Sequence, residues 1–155
     1  MRSAWIILPV LFLPTVATAT EMIGQGKYVP DGDTFELAMS SHSQMIRICG
    51  IDAPESGQPG SREAWKKLSE LVYGKTVSCV QVNQPPGTVC DRRSKPTNRD
   101  RVVAQCFVDG RDIAAELVQA GVACDWVRFS GGYYQHSQAL PGSARRRALK
   151  LVRSP

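Results

Sequence analysis

Two groups of carboxylates and one arginine lie within a short part of this 155-residue chain. Asp31 and Asp33 form the first group, Asp52 and Glu55 form the second, and Arg47 lies between them. Carboxylate oxygens are the ligands that a hard divalent cation prefers, and a guanidinium group matches the oxygens of a phosphate. Together, these residue types are suited to holding a divalent cation beside a phosphate.

Each part of this pattern also has an ordinary structural explanation. Pro30-Asp31-Gly32 is typical of a turn, because proline presets φ and glycine accepts a positive φ. Asp52-Ala53-Pro54 is compatible with the end of a strand. An isolated arginine such as Arg47 more often forms a surface ion pair than a catalytic contact. A catalytic role is therefore indicated by the combination of these residues rather than by any one of them.

Two familiar metal-binding patterns do not match the chain. An EF-hand loop starting at Asp31 would need glycine at its sixth position and an acid at its twelfth, where the chain has Glu36 and His42. The five cysteines include no Cys-x-x-Cys pair and neither histidine lies near a cysteine cluster, so we expect no structural zinc site. The carboxylates must therefore find their partners elsewhere in the chain.

Alternating apolar residues place the two carboxylate groups at one end of a hairpin. Residues 34–39 and 45–51 have the two-residue period of half-buried strands, and the polar residues 40–43 between them are typical of a turn. Two such strands joined by a short turn predict an antiparallel hairpin. Its open end would bring Asp33 beside Asp52, although the two residues are far apart in the sequence.

The rest of the pattern predicts a short first strand at 21–29, two helices, two further strands and a long loop. The helices are capped by Ser61 and Asp112 and end at Gly74 and Gly121, the strands cover 76–82 and 101–108, and the loop covers 83–100. Five short strands with a helix inserted after the third indicate a small closed barrel rather than a layered parallel sheet. We therefore predict an α+β protein, a five-stranded β-barrel of the oligonucleotide-binding (OB) fold with two to three helices.

The beginning of the chain has the pattern of a secretory signal peptide. Arg2 precedes the apolar run 5–16 and the small residues 17–19 follow it, so we expect cleavage near Ala19 and a secreted or periplasmic protein. No other stretch is long enough to span a bilayer, so we expect no membrane association after cleavage. The formal net charge of +5 is compatible with a polyanionic partner but does not require one.

An ordered set of motifs closely resembles the staphylococcal nuclease (thermonuclease) family. The motifs are Asp31-Gly32-Asp33-Thr34, Ile46-Arg47, Gly50-Ile51-Asp52-Ala53-Pro54-Glu55, Arg101-Val102-Val103-Ala104, Val108-Asp109-Gly110, Glu116-Leu117-Val118 and Gly121. The resemblance covers residues 27–123. It implies an OB-fold barrel with helices and a Ca²⁺-dependent endonuclease that cleaves DNA and RNA on the 5′-oxygen side of the phosphodiester, leaving 3′-phosphates.

The resemblance also implies a domain organisation and roles for six residues. We expect a signal peptide at 1–19, a nuclease domain at 20–128 and a C-terminal tail at 129–155 with room for a short basic helix, in a monomeric protein. The implied roles are metal binding by Asp33, Asp52 and the backbone carbonyl of Ala53, general base for Glu55, and phosphate binding in catalysis for Arg47 and Arg101.

The chain departs from the family pattern before its last barrel strand. The family often has Asp-Arg-Tyr-Gly-Arg there, whereas this chain has Asn98-Arg99-Asp100-Arg101 without the tyrosine and behind an enlarged loop. Arg101 directly abuts the strand and is therefore our choice for the second catalytic arginine, with Arg99 as the alternative.

The five cysteines and the export signal make disulfides an expectation, with at least one thiol left over. Cys79 and Cys106 lie on strands that should be neighbours in a barrel of this family, so we predict that they pair. The pairing of Cys49, Cys90 and Cys124 stays open.

A catalytically silent barrel that binds nucleic acid or another polyanion is the alternative function. Such a module would be expected to have lost members of the acid–arginine set. This chain retains the whole set, with Asp33, Arg47, Asp52, Glu55 and Arg101 all present, which favours the enzyme.

Overall fold

The computed structural model describes residues 21–137. The predicted signal peptide at 1–19 and residues 138–155 of the predicted tail lie outside the described residues. Within the described part of the chain, no helix is both long enough and apolar enough to cross a membrane.

Nine strands and three α-helices make up the fold of residues 21–137, with one 3₁₀ helix at Tyr133–Ser137. In chain order they are β1 (Glu21–Gly26), β2 (Thr34–Ala38), β3 (Ser43–Ile48), β4 (Ile51–Asp52), α1 (Ser61–Val72), β5 (Thr76–Gln81), β6 (Thr97–Asn98), β7 (Arg101–Val108), β8 (Arg111–Asp112), α2 (Ile113–Gln119), β9 (Cys124–Asp125) and α3 (Val127–Ser130).

Five of the strands close into a mixed β-barrel, which confirms the predicted fold class. The order is β3-β2-β1-β5-β7 with antiparallel neighbours, and β3 then pairs in parallel with β7 to close the barrel. The predicted hairpin is β2 and β3, in which Thr34 lies opposite Arg47. The parallel closure sets β3 directly beside β7, because Ile48 pairs with Ala104.

The interior of the barrel is formed by the apolar residues that alternate along its strands. Phe35 and Leu37 of β2 and Ile46 and Ile48 of β3 are completely buried, as the two-residue period predicted. Helix α1 covers this core with four buried side chains, those of Ala64, Leu68, Leu71 and Val72.

The two longer helices begin in different ways. The carboxylate of Asp112 accepts hydrogen bonds from the backbone N–H groups of Ala114 and Ala115, which confirms it as the N-cap of α2. The prediction that Ser61 caps α1 was wrong. Ser61 is the first helical residue, and the cap position is Gly60, which has φ of 90° and no side chain to accept a hydrogen bond.

Two disulfides join different parts of the barrel. Cys79 and Cys106 face each other in the pairing of β5 with β7 and form a disulfide, as predicted. Cys49, just after β3, pairs with Cys90 in the segment before β7. Cys124 is a free thiol of intermediate exposure. One disulfide therefore lies within the sheet, whereas the other ties a loop to the end of a strand.

Residues 83–100, called the 83–100 loop below, are ordered by hydrogen bonds within the loop itself. Asp91 Oδ1 accepts from the backbone N–H of Asn83 and from Thr88 Oγ1, both at 2.7 Å. Asn83 Oδ1 accepts from the backbone N–H of Arg92 at 2.7 Å, and Asn83 Nδ2 donates to the carbonyl of Ser94 at 2.9 Å. The predicted long loop therefore has a fixed shape, and its last part contains strand β6, which pairs with β7.

Removing the sheet disulfide should destabilise the barrel. The double substitution Cys79→Ala and Cys106→Ala should lower the free energy of unfolding by about 3–4 kcal/mol, because the bond constrains a loop with a sequence separation of 27 residues in the unfolded chain. Denaturant titration measures the change, and Cys124→Ala is the control because Cys124 is in no disulfide. Equal stability of the double variant and the control would contradict this expectation.

Candidate active site

The guanidinium of Arg47 lies between two carboxylates at the end of the β2–β3 hairpin. Arg47 Nη2 is 2.9 Å from Asp33 Oδ2 and 3.7 Å from Asp52 Oδ1. The same side chain also donates to the backbone carbonyls of Ile48 and Ile51, the latter at 3.0 Å. The structure therefore brings the two predicted aspartates to one guanidinium group, and backbone carbonyls at the end of β3 and in β4 fix the orientation of that group.

Asp33 is buried and held through both of its oxygens. Its side chain Oδ2 accepts from the backbone N–H of Ala53 at 3.1 Å, and Oδ1 accepts from Thr34 Oγ1 at 3.2 Å. Its own backbone N–H donates to Asp31 Oδ1 at 3.1 Å, which closes a small turn. These contacts fix the carboxylate of Asp33 in one orientation at the end of the barrel.

Burial disfavours the charged form of both aspartates at this site. Burial raises the pKa of Asp33 to about 6, because it outweighs the lowering by Arg47, and the neighbouring Asp31 raises this pKa further. Burial also raises the pKa of Asp52 in spite of Arg47, and the charge of Glu55 adds to the effect. An additional cation beside these carboxylates would therefore be favoured electrostatically.

Arg101 reaches the same cluster through a threonine. Arg101 Nη1 donates to Thr34 Oγ1 at 3.1 Å, and that hydroxyl in turn donates to Asp33 Oδ1. Thr34 is 1% exposed, so its hydroxyl has a fixed place in this chain of hydrogen bonds. The sequence shows Thr34 only as part of a motif, and its position opposite Arg47 in the hairpin register is the signal that could have identified it.

Arg99, the alternative to Arg101, lies elsewhere. It is exposed, in the turn between β6 and β7, with φ of 58°. Within residues 21–137, its side chain makes no hydrogen bond or ion pair to the carboxylate cluster. The geometry therefore brings Arg101, and not Arg99, to Thr34.

Glu55 is exposed at the rim of the cluster. Its backbone N–H donates to Gln58 Oε1 at 2.9 Å, and its backbone carbonyl accepts from the N–H of Gln58, also at 2.9 Å. Its carboxylate makes no hydrogen bond or ion pair with the described residues, yet it is near enough to Asp52 to raise the pKa of that group. The backbone of Glu55 is thus fixed, while its side chain remains available to a group from solvent.

Gly32 allows the turn that carries Asp33 to pack closely against its surroundings. A Cβ atom at Gly32 would lie 2.5 Å from the Cβ of Ala64 in α1 and 2.8 Å from the Cβ of Ala53. Both distances are too short for a side chain. The absence of a side chain at this position therefore lets α1 and the residue after β4 hold the turn in place.

Arg47 also lines a pocket of about 420 Å³. Gly32 and Glu55, which lie at the carboxylate cluster, are not part of its lining. The segment from Ile48 to Ile51, the 83–100 loop and α3 form its walls. Trp126 and Phe129 line it with their rings in edge-to-face contact, 4.6 Å between centroids. Three further cationic side chains also line it, those of Arg93, Lys95 and Arg128.

Sequence reasoning missed this pocket, because its residues come from three distant segments. The mixture of aromatic and basic residues in 126–129 was the available signal. Within residues 21–137, no three or more His, Cys, Asp or Glu side chains are arranged as a metal-binding group.

The fold and the cluster define an OB-fold barrel whose acidic and guanidinium groups converge at one end of a hairpin. A family model described as Staphylococcal nuclease homologue matches residues 45–151. The chain belongs to this family.

Several relatives carry names of nucleases. An "uncharacterized endonuclease" of Escherichia coli is 34% identical over 100 residues, 64% of this chain and 56% of that protein. One of Haemophilus influenzae is 29% identical over 103 residues, 66% of this chain and 51% of that protein. A "micrococcal nuclease" of Shigella flexneri is 28% identical over 72 residues, 46% of this chain and 41% of that protein. The chain thus spans about half the length of these relatives.

Substituting Gly32 should test how tightly the turn at Asp33 is packed. Gly32→Ala should lower the free energy of unfolding by about 1–3 kcal/mol, because the new methyl group would overlap Ala64 and Ala53. Ala64→Gly removes the nearer of the two contacts, so Gly32→Ala should cost less in that background than in the wild type. Denaturant titration of the four proteins in this double-mutant cycle gives the coupling, and equal costs in both backgrounds would rule out an overlap with Ala64 as the cause.

Proposed function

We propose that this protein is a Ca²⁺-dependent endonuclease that hydrolyses phosphodiester bonds of DNA and RNA to products with 3′-phosphates. The observation that carries the proposal is the convergence of carboxylates and guanidinium groups at one site. Arg47 Nη2 is 2.9 Å from Asp33 and 3.7 Å from Asp52, and Arg101 is joined to Asp33 through Thr34. Membership of the Staphylococcal nuclease homologue family and the names of the relatives support it.

The donor groups of the cluster fit a calcium ion. The carboxylates of Asp33 and Asp52 and the backbone carbonyl of Ala53 are oxygen donors, and Ca²⁺ takes such oxygens together with water. Burial, which raises the pKa of both aspartates in spite of Arg47, also favours a divalent cation beside them, because the cation replaces part of the hydration that the carboxylates have lost. When bound, Ca²⁺ would supply positive charge that polarises an oxygen of the phosphate.

In this proposal the two arginines bind the phosphate whose charge grows during the reaction. A guanidinium donates to two oxygens of a phosphate in a bidentate fork. Arg47 is preoriented by Asp33 and by the carbonyls of Ile48 and Ile51, so little reorganisation is needed when a phosphate arrives. Arg101 is oriented by Thr34 in the same way.

Glu55 is the group that accepts a proton from the attacking water. Its exposed carboxylate, uncommitted to any described residue and near Asp52, meets the requirement for a general base at the edge of the site. The water oxygen bonds to phosphorus and the bond from phosphorus to the 5′ oxygen breaks. The phosphate stays on the 3′ side, and the leaving oxygen takes up a proton as the 5′-hydroxyl.

The pocket beside Arg47 is suited to a nucleotide of the substrate. Aromatic rings such as those of Trp126 and Phe129 stack on bases of any sequence, and this is worth about 1–3 kcal/mol per base. The cationic side chains around them suit the phosphates of a polyanion. This arrangement favours nucleic acid over a small phosphate ester as the substrate.

The two disulfides support export of the protein, because such bonds persist in oxidising compartments. We infer a secreted or periplasmic monomer in which the leader at 1–19 is removed and the nuclease domain begins at residue 20.

Cleavage of DNA by the purified chain without residues 1–19 is the experiment that tests this function. Cleavage should occur with Ca²⁺, stop with excess chelator and be lost in Asp33→Ala, because that change removes a carboxylate from the cluster. Asp109→Asn is the matched control, because Asp109 lies in an exposed turn outside the site. Glu55→Gln should lower kcat by about 10²–10⁴-fold without weakening binding, because it removes only the general base.

Two outcomes would count against the proposal. An unchanged rate in Glu55→Gln would remove Glu55 from the mechanism. Tight binding of DNA by the wild type without cleavage, whatever divalent metal is present, would instead identify a catalytically silent binding module.

Arg101 and Arg99 can be distinguished by alanine substitution of each. Arg101→Ala should lower kcat/KM by about 10²–10³-fold, the decrease typical when a preorganised charge donor is removed, because the hydrogen bond to Thr34 places it at the cluster. Arg99→Ala removes the same charge from an exposed turn and should change kcat/KM little. The reverse result would transfer the role to Arg99, and an effect confined to KM would mark Arg101 as a binding residue only.

A further inference from the structure

We propose that the 83–100 loop binds substrate. In this proposal, which rests on the proposed nuclease function, Arg93 and Lys95 contact the backbone of a single strand outside the phosphodiester that is cleaved. The disulfide between Cys49 and Cys90 positions them.

The first observation is the location of these two cations. Arg93 and Lys95 line the same pocket as Arg47, together with the aromatic residues Trp126 and Phe129. A strand whose phosphate lies at Arg47 and whose neighbouring nucleotide occupies this pocket therefore passes the loop. Cations beside a stacking surface are the combination by which proteins hold single-stranded nucleic acid.

The second observation concerns the ion pairs of these two side chains. Among the described residues, neither Arg93 nor Lys95 forms an ion pair, whereas Arg47 and Arg111 both do. Both side chains belong to exposed residues. Their charge is therefore not neutralised within the described part of the protein, and a polyanion can use it.

The third observation is that Arg93 has a fixed position. Its backbone N–H donates to the carbonyl of Cys90 at 3.1 Å, and that of Ser94 donates to the same carbonyl at 2.9 Å, so the turn is built on Cys90. A Cβ at Gly131 would lie 2.8 Å from Nε and 2.9 Å from Cζ of Arg93. The guanidinium thus packs directly against the glycine backbone that ends α3.

The disulfide connects this turn to the catalytic strand. Cys49 comes two residues after Arg47, and both Cys49 and Cys90 are almost completely buried. The bond therefore sets the distance between the phosphate-binding end of β3 and the loop that carries Arg93 and Lys95. Without it, only the loop's own hydrogen bonds and its contacts with β7 would hold Arg93 and Lys95 near Arg47, and any movement that substrate binding must then restrict costs affinity.

Binding of a fluorescent single-stranded oligodeoxynucleotide to the Glu55→Gln protein with Ca²⁺ tests the proposal directly. Fluorescence anisotropy over a range of salt concentrations gives the slope of log K against log salt. Removing one cation that binds a phosphate should reduce the magnitude of that slope by about 0.7. The double substitution Arg93→Gln and Lys95→Gln should therefore weaken binding and reduce the slope by about 1.4.

Two matched variants separate a phosphate contact from a structural effect. Arg92→Gln removes the same charge from the same loop but outside the pocket, and it should leave the slope unchanged. Arg93→Lys keeps the charge and should keep the slope. A double variant that behaves like Arg92→Gln, or that changes only the thermal stability, would overturn the proposal.

The positioning role of the disulfide needs its own comparison. Cys49→Ala with Cys90→Ala should reproduce the weaker binding and smaller slope, and should raise KM for a long strand more than it lowers kcat. Cys79→Ala with Cys106→Ala, compared at a temperature where both proteins are folded, should leave the slope intact. Equal slopes for the two cysteine variants would overturn the assignment of Cys49 and Cys90.

Cleavage by the wild type separates failure of this proposal from failure of the proposed function. If the wild type cleaves DNA with Ca²⁺ and the double variant binds with an unchanged salt slope, only the role of the loop is wrong. If the wild type binds DNA but does not cleave it, the nuclease assignment fails, and the anisotropy experiment still decides whether the loop contacts phosphate.

Discussion

The rest of the site depends on the contact of one guanidinium with two carboxylates at the end of a hairpin. Arg47 can meet both Asp33 and Asp52 only if β2 and β3 keep the register that sets Thr34 opposite Arg47. A shift of one residue would turn Arg47 into the barrel, because side chains alternate between the two faces of a strand. The buried apolar residues of β3 therefore fix the position of the charged one.

This cluster lowers the free energy of unfolding rather than raising it. Burying carboxylates costs free energy, and burial raises the pKa of Asp33 although Arg47 lies beside it. A barrel selected only for stability would be better served by apolar side chains at this end. The protein nevertheless supports the cluster with Gly32, whose missing side chain permits close packing, and with the hydroxyl of Thr34. Such support is understandable if the cluster binds a cation and a phosphate.

The parts of the structure that could be predicted are those with a local signal. Strand alternation identified the hairpin, and Asp112 was recognisable as a cap because its carboxylate precedes an apolar helical pattern. The prediction that Ser61 caps α1 was wrong because Gly60 occupies the cap position, in a backbone conformation that the sequence does not specify. The pairing of Cys49 with Cys90 was not predictable, because Cys90 lies in a loop without periodicity. The pocket at Trp126 could not be predicted, because it depends on the parallel pairing of β3 with β7, and that pairing is seen only in the complete fold.

The two disulfides differ in what they constrain. Cys79 and Cys106 join residues that the ladder of β5 and β7 already holds opposite each other, so their bond acts mainly on the unfolded chain. Cys49 and Cys90 join the end of β3 to a loop that is otherwise held to the barrel by β6 and by the hydrogen bond from the N–H of Val89 to Gln105. Their bond therefore also restricts the folded protein, and it does so at the point where the strand that carries Arg47 meets the pocket. Under the proposed function, a constraint at that place preorganises the surface that binds substrate, because it holds the loop in position before a nucleic-acid strand binds.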